Sequence, residues 1–146
     1  MREIVVRSRV TAQAFVHNAP WAAIQITNPD SDWPVLSLDN RAAVLQLRFP
    51  DRNSADAEYR QEDLFSEEHA SQIIDFVAEW DRQVDVLLVH CEQGSSRSTA
   101  VGAALMRVFL PEADWYQMFA RHSPNVLVYG RLLAEAERRR LFSRPD

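Results

Sequence analysis

Cys91 and Arg97 stand six residues apart in the stretch His90-Cys91-Glu92-Gln93-Gly94-Ser95-Ser96-Arg97-Ser98, and Cys91 is the only cysteine of the chain. Upstream, Val86 to Val89 is a short aliphatic run with β-branched members, the pattern of a buried strand. Downstream, Thr99 to Arg107 reads as a helix. A strand that enters a helix through a tight loop aims several backbone N–H groups at one point, and the helix N-terminus adds partial positive charge there. Gly94 lets the backbone turn without a side chain in the way. An anion the size of phosphate fits such a nest, and the guanidinium of Arg97 can close over two of its oxygens. A cysteine on the floor feels the same positive field, which favours the thiolate nucleophile. A thiolate beneath a bound phosphate is placed for in-line attack on phosphorus. Taken alone, a cysteine at a strand end is equally a small buried hydrophobe; the added His, Gly, Ser and Arg at fixed offsets set this one apart.

The stretch from His90 to Ser98 resembles the signature of the protein tyrosine phosphatase superfamily: His-Cys, five residues, Arg, then Ser or Thr. It is similar in particular to the dual-specificity-like form, His-Cys-Glu-x-Gly-x-Ser-Arg-Ser. The resemblance implies a phosphomonoester hydrolase that works through a cysteinyl-phosphate without metal or cofactor. Cys91 would be the nucleophile. The Glu92, Gln93, Gly94, Ser95 and Ser96 backbone and the Arg97 guanidinium would hold the phosphoryl oxygens. Ser98 would bond the sulfur and help it leave, and His90 would orient the loop and favour the thiolate. The Glu92 side chain should point away or pair with an arginine. Asn125 resembles a loop-supporting asparagine of the dual-specificity group, although helix capping accounts for it as well.

The leaving oxygen needs an acid. In the resembled family this is an aspartate after the strand that precedes the signature. Asp51, directly after Leu47-Arg48-Phe49-Pro50, has the right order, forty residues before Cys91; Asp56 and Asp63 are the alternatives. Asp63 also suits a cap near Ser66. The substrate would be a phosphorylated protein or a small phosphomonoester. The loop carries no lysine and begins with Glu92, which argues against highly phosphorylated lipids. If no aspartate reaches the loop, the competing reading is a phosphotyrosine- or phosphate-binding module without turnover. A more remote one is sulfur transfer of the rhodanese kind, which also uses a loop cysteine.

At 146 residues the chain suits one domain with a real core. Its single cysteine cannot form an internal disulfide, and no run approaches a membrane span or a signal-peptide core, which points to a reducing cytoplasm. The net charge is −5, and all sixteen basic residues are arginine. Nucleic acid and anionic membrane are therefore unsuited as main partners. Arginines sit singly except at Arg138-Arg139-Arg140, which together with Arg131, Glu135 and Glu137 reads as a solvated helical face. No cysteine pair or His-x-x-x-His supports a metal site.

The elements that must hold this loop follow from periodicity. Strands are expected at Ile4–Val6, Trp21–Thr27 and Ala43–Phe49, ahead of the one at Val86. Helices are expected from Ser8 to about His17 with Val10 and Ala14 facing in, from Glu67 to Trp80 behind a Ser66 cap, from about Glu112 to Arg121, and from Val126 to about Arg140. The order implies an α/β fold: a central, mostly parallel sheet of four or five strands with helices on both sides. Ligands of such sheets bind beyond the carboxyl ends of the strands, where Cys91 falls.

Overall fold

In the computed structural model, which describes residues 1–53 and 60–144, the two most continuously apolar segments lie side by side at the centre of one sheet. They are β2 (Trp21–Thr27) and β4 (Val86–Cys91), buried at every position. The flanking strands are β1 (Glu3–Ser8) and β3 (Arg41–Arg48), which interleave exposed residues. The order is β1-β4-β2-β3, and every pairing is parallel. A strand buried on both faces has no polar side, so its sequence loses alternation; an edge strand keeps some.

Two helices connect strands, α1 (Arg9–Gln13) between β1 and β2 and α2 (Glu67–Trp80) between β3 and β4 behind a 3-10 turn at Gln61–Asp63; α3 (Arg97–Phe109), α4 (Gln117–Arg121) and α5 (Val126–Arg138) follow β4. Successive strand residues point to opposite faces. Ile4, Ala22, Ile24, Ile26, Leu47, Leu87, Val89 and Cys91 join the larger core with α2, α3 and α5. Val5, Trp21, Ala23, Val86 and Leu88 face the other way, under Ala12 and Leu36. Helices do flank both sides, but the second side has only the five-residue α1 and the connection from 28 to 40. Gln25, 2% exposed at the sheet centre, ties that connection down: it donates to the Pro34 carbonyl at 3.1 Å and accepts from Gln46 at 3.0 Å.

Three expectations need correction. The first helix stops at Gln13 rather than His17. Phe15 turns back to pack edge-on against Trp21 at 5.0 Å, and the His17 ring binds the Ala19 N–H. In so short a helix Ala12 is the residue that meets the sheet, and Val10 is left 73% exposed. The helix expected from Glu112 begins at Gln117, because residues 111–116 form turns around Trp115, whose ring lies under the Arg107 guanidinium. Finally, Glu135 is not solvated. At 8% exposure it accepts from Arg138 and, at 2.6 Å, from Arg139, which also reaches Asp75 and Ser71 of α2. That cluster locks α5 to α2.

Candidate active site

β4 runs on through His90 and ends at Cys91, so the cysteine is the last strand residue and the loop is only Glu92 to Ser96. The loop can be this tight because Gly94 takes a left-handed φ of 71°. It also lies against β1: a Cβ on Gly94 would fall 2.7 Å from the Ser8 nitrogen. The far side of the loop is held by residues 123–125, where the Ser123 N–H donates to the Ser95 carbonyl and the Asn125 N–H to the Ser96 carbonyl. Thr99 Oγ1 adds bonds to the same two carbonyls, 3.0 Å each. These bonds take up the Ser95 and Ser96 carbonyls and tie the loop to the start of α5 and to α3.

Cys91 is 2% exposed. Three polar groups meet its sulfur: Ser98 Oγ at 3.0 Å, the Gly94 N–H at 3.3 Å and the Ser98 N–H at 3.4 Å. A thiolate can accept from all three, whereas a thiol has to place its own proton among them. The sulfur also faces the first turn of the thirteen-residue α3.

Arg97 is 5% exposed and folded back toward the sheet. Its Nη1 donates to Asn28 Oδ1 and to the Phe49 carbonyl, 2.9 Å each. Its Nε is buried and has no hydrogen-bond partner among the described residues. A buried donor without an acceptor is costly, on the order of 1–3 kcal/mol, and such cases call for a ligand or water.

Asp51 follows Phe49 and Pro50, both buried, so the start of its loop is anchored in the core. Its Oδ1 accepts from Ser96 Oγ at 2.8 Å and from Asn125 Nδ2 at 3.0 Å. Asn125 also donates to the Arg52 carbonyl at 3.1 Å, and its Oδ1 caps α5 by accepting from the Leu127 and Val128 N–H groups. The two roles open to Asn125 in the sequence are thus held at once. Cys91, Glu92, Gln93, Ser95, Ser96, Arg97, Asp51 and Asn28 line one cavity of about 230 Å3. Asp63 is not among them; its carboxylate accepts from the Arg60 N–H at the 3-10 turn. Asp56 lies outside the described residues.

Glu92 turns from the loop toward the sheet end. Its Oε1 accepts from Thr27 Oγ1 at 2.9 Å and pairs with Arg9 at 3.2 Å, the pairing expected for it. His90 is 1% exposed, and neither ring nitrogen has a hydrogen-bond partner among the described residues. Burial pulls its pKa down to about 4, only partly opposed by the neighbouring Cys91 peptide group and the Glu92 carboxylate. The ring is therefore neutral at pH 7. Asn28, Thr27 and Arg9 were not singled out from the sequence. Asn28 and Thr27 could have been, since both sit at the carboxyl end of a parallel strand.

By sequence, the chain matches no protein-family model and no curated protein. By structure, human DUSP28 matches at a TM-score of 0.61 and 20% identity, over 94% of this chain and 93% of that one. A mouse putative dual-specificity phosphatase complexed with zinc tungstate matches at 0.63 and 18% identity, over 94% and 86%. The fold is that of the dual-specificity phosphatases. A human tyrosine phosphatase-like serine/threonine/tyrosine-interacting protein shares it too, at 0.61 and 17% identity over 97% and 99%. The dual-specificity-like fold accounts for the parallel sheet, for the helices flanking it and for the position of the cysteine loop at the carboxyl end of a central strand. Among the described residues no cluster of His, Cys, Asp or Glu could hold a metal ion, and no helix is long and apolar enough to cross a membrane.

Proposed function

We propose that the protein is a cysteine-dependent phosphomonoester hydrolase, acting on phosphorylated protein or small phosphomonoesters. One observation carries the reading: Cys91 and Arg97 of the loop and Asp51, forty residues upstream, line the same small cavity. In the first step the Cys91 thiolate attacks phosphorus and the bond from phosphorus to the leaving oxygen breaks. Asp51 gives that oxygen its proton. The loop N–H groups and the Arg97 guanidinium hold the equatorial oxygens, where charge gathers. The buried Nε of Arg97 is the donor a phosphoryl oxygen would satisfy.

In the second step Asp51, now a carboxylate, takes a proton from water as the water oxygen bonds to phosphorus. The phosphorus–sulfur bond breaks, the electron pair returns to sulfur, and inorganic phosphate leaves. Ser98, 3.0 Å from the sulfur, donates to the returning thiolate. Asn28 and the Phe49 carbonyl aim Arg97, and Ser96 with Asn125 aim Asp51. A tetrahedral oxyanion is also present in one structural neighbour, the mouse protein complexed with zinc tungstate. Another neighbour, PTPMT1, is in complex with PI(5)P, so the fold accommodates a phosphoinositide in that protein. Here the loop has no lysine to meet further phosphates, which favours singly phosphorylated substrates.

The test is hydrolysis of para-nitrophenyl phosphate without added metal, at about pH 5 to 7, for wild type, Cys91→Ser and Asp51→Asn. The reading expects activity abolished by Cys91→Ser and strongly reduced by Asp51→Asn. A wild type that binds vanadate but turns nothing over would make the protein a phosphate-recognising module instead.

A further inference from the structure

β1 is an edge strand and, among the described residues, ladders with β4 alone. Its outer side can be read from two contacts. The Ser8 N–H bonds Thr11 Oγ1, and the Val6 carbonyl accepts from its neighbour Arg7's guanidinium, at 3.0 Å. Strand residues alternate the side to which their N–H and C=O point, so Ile4 and Val6 present theirs outward. Beside this edge lies a groove of about 500 Å3, walled by Glu3–Ser8 on one side and by Gln117, Met118, Arg121 and His122 on the other. The groove ends at Gln93 and Gly94 of the cysteine loop, and Gln93 also lines the Cys91 cavity. Arg7, Arg121 and His122 line it too, all exposed, with Glu3 at its far end.

We propose that an extended acidic phosphopeptide adds to the sheet as a strand on the β1 edge, its phosphorylated residue entering the Cys91 cavity. The proposal rests on the phosphatase reading of that cavity and names its substrate class. An unpaired edge binds extended chains through backbone bonds, with side-chain pockets setting preference. The six residues of β1 span about 20 Å at ~3.3 Å each, so residues on one side of the phosphorylated position lie along the strand. Continuity at Gln93 is what joins groove to site. The cationic groups place acidic peptide residues near the phosphorylated one, against Arg7 and Arg121.

The test uses the full chain carrying Cys91→Ser and a fluorescent phosphotyrosine peptide with glutamates beside the phosphotyrosine. Extending the peptide on one side should tighten binding about tenfold, and on the other side should do nothing. N-methylation of alternate backbone amides on the productive side should remove that gain, while methylation of the intervening amides should spare it. In the active protein, Arg121→Glu should lower kcat/KM for the extended peptide roughly tenfold and leave para-nitrophenyl phosphate turnover unchanged. Extension without effect on either side, or insensitivity to both methylation patterns, overturns the proposal. Should the protein turn over no phosphoester yet bind the extended peptide in this methylation-sensitive way, the hydrolase reading falls and the edge site stands.

Discussion

Asn125 offers a way to separate a structural role from a positioning one. It is 6% exposed and uses both ends of its amide: Oδ1 caps α5, and Nδ2 holds Asp51 and the Arg52 carbonyl. Asn125→Ala removes both. Losing the cap costs about 1 kcal/mol, and losing the two donated bonds costs about 1 kcal/mol more. A sum of about 2 kcal/mol corresponds to a fall of roughly 4–8 °C in Tm for a domain of this size. Asn125→Asp acts differently. Aspartate caps as well as asparagine, and its charge suits a helix N-terminus. It has no donor for Asp51, however, and sets a second carboxylate against it. The exposed Asp51 segment can swing into solvent, which limits the loss of stability to about 1 kcal/mol. The expected outcome is a small Tm change with kcat reduced at least tenfold, toward the loss caused by Asp51→Asn, which general acid catalysis sets at about 10²–10⁴. The assays are thermal denaturation and phosphoester turnover on both single variants and on the double variant with Asp51→Asn. If Asn125 acts through Asp51, Asn125→Asp adds nothing to kcat once Asp51→Asn is present. Equal further loss in the double variant, or full activity in Asn125→Asp alone, would refute the positioning role.

Ser98→Ala removes the hydroxyl 3.0 Å from the sulfur; breakdown of the cysteinyl-phosphate should slow about tenfold or more, seen as a burst of leaving group before a slower steady state in stopped-flow. Gly94→Ala combines a φ of 71° with a Cβ 2.7 Å from the Ser8 nitrogen and 2.8 Å from the Arg7 carbonyl carbon, so urea denaturation should show a loss of about 2–4 kcal/mol. Gly130→Ala, in α5 with nothing within 4 Å, should gain about 0.5–1 kcal/mol in the same assay. Stability should also fall as pH drops from 6.5 toward 4. The folded pKa of His90 is lowered to about 4, so between these values the unfolded chain binds more protons and acid favours it. At ~1.4 kcal/mol per pH unit the effect is at most about 3 kcal/mol. His69 shifts the same way through burial, and its Nδ1 must stay unprotonated to accept the Ser66 N–H that caps α2. His90→Phe should flatten the profile between those pH values, read by urea midpoints.

The core of the site was legible because it is contiguous. Strand, loop and helix occupy one stretch, and each piece shows its own signal: aliphatic run, glycine, arginine, helix start. Asp51 was legible by order alone, since β3 and the buried Phe49 and Pro50 deliver it to the carboxyl edge of the sheet. The partners that aim these groups were harder to see. Thr27 and Asn28 lie at the end of β2 and Arg9 at the start of α1, far in sequence from the loop, and only their place at the carboxyl end of a parallel sheet marks the first two. Asn125 was visible as a cap, but its reach to Asp51 depends on how α5 docks beside the loop. The errors share one cause: periodicity reports what is apolar, not what finds a surface to cover. Val10 was expected to face in and is 73% exposed, because α1 ends before it can lay a second turn on the sheet. Glu135 was expected in water and is 8% exposed, because α2 supplies Asp75 and Ser71 for the Arg139 that neutralises it.

The most direct measurement is to look for phosphorus on Cys91. In Asp51→Asn, para-nitrophenolate can leave without much help from an acid, while the water of the second step has lost its base, so the covalent species should accumulate. Acid quenching followed by peptide mass spectrometry should then find a phosphoryl group on the fragment that contains Cys91, and none in Cys91→Ser. Turnover by the wild type with no covalent adduct in any variant, or an adduct on another residue, would contradict the account.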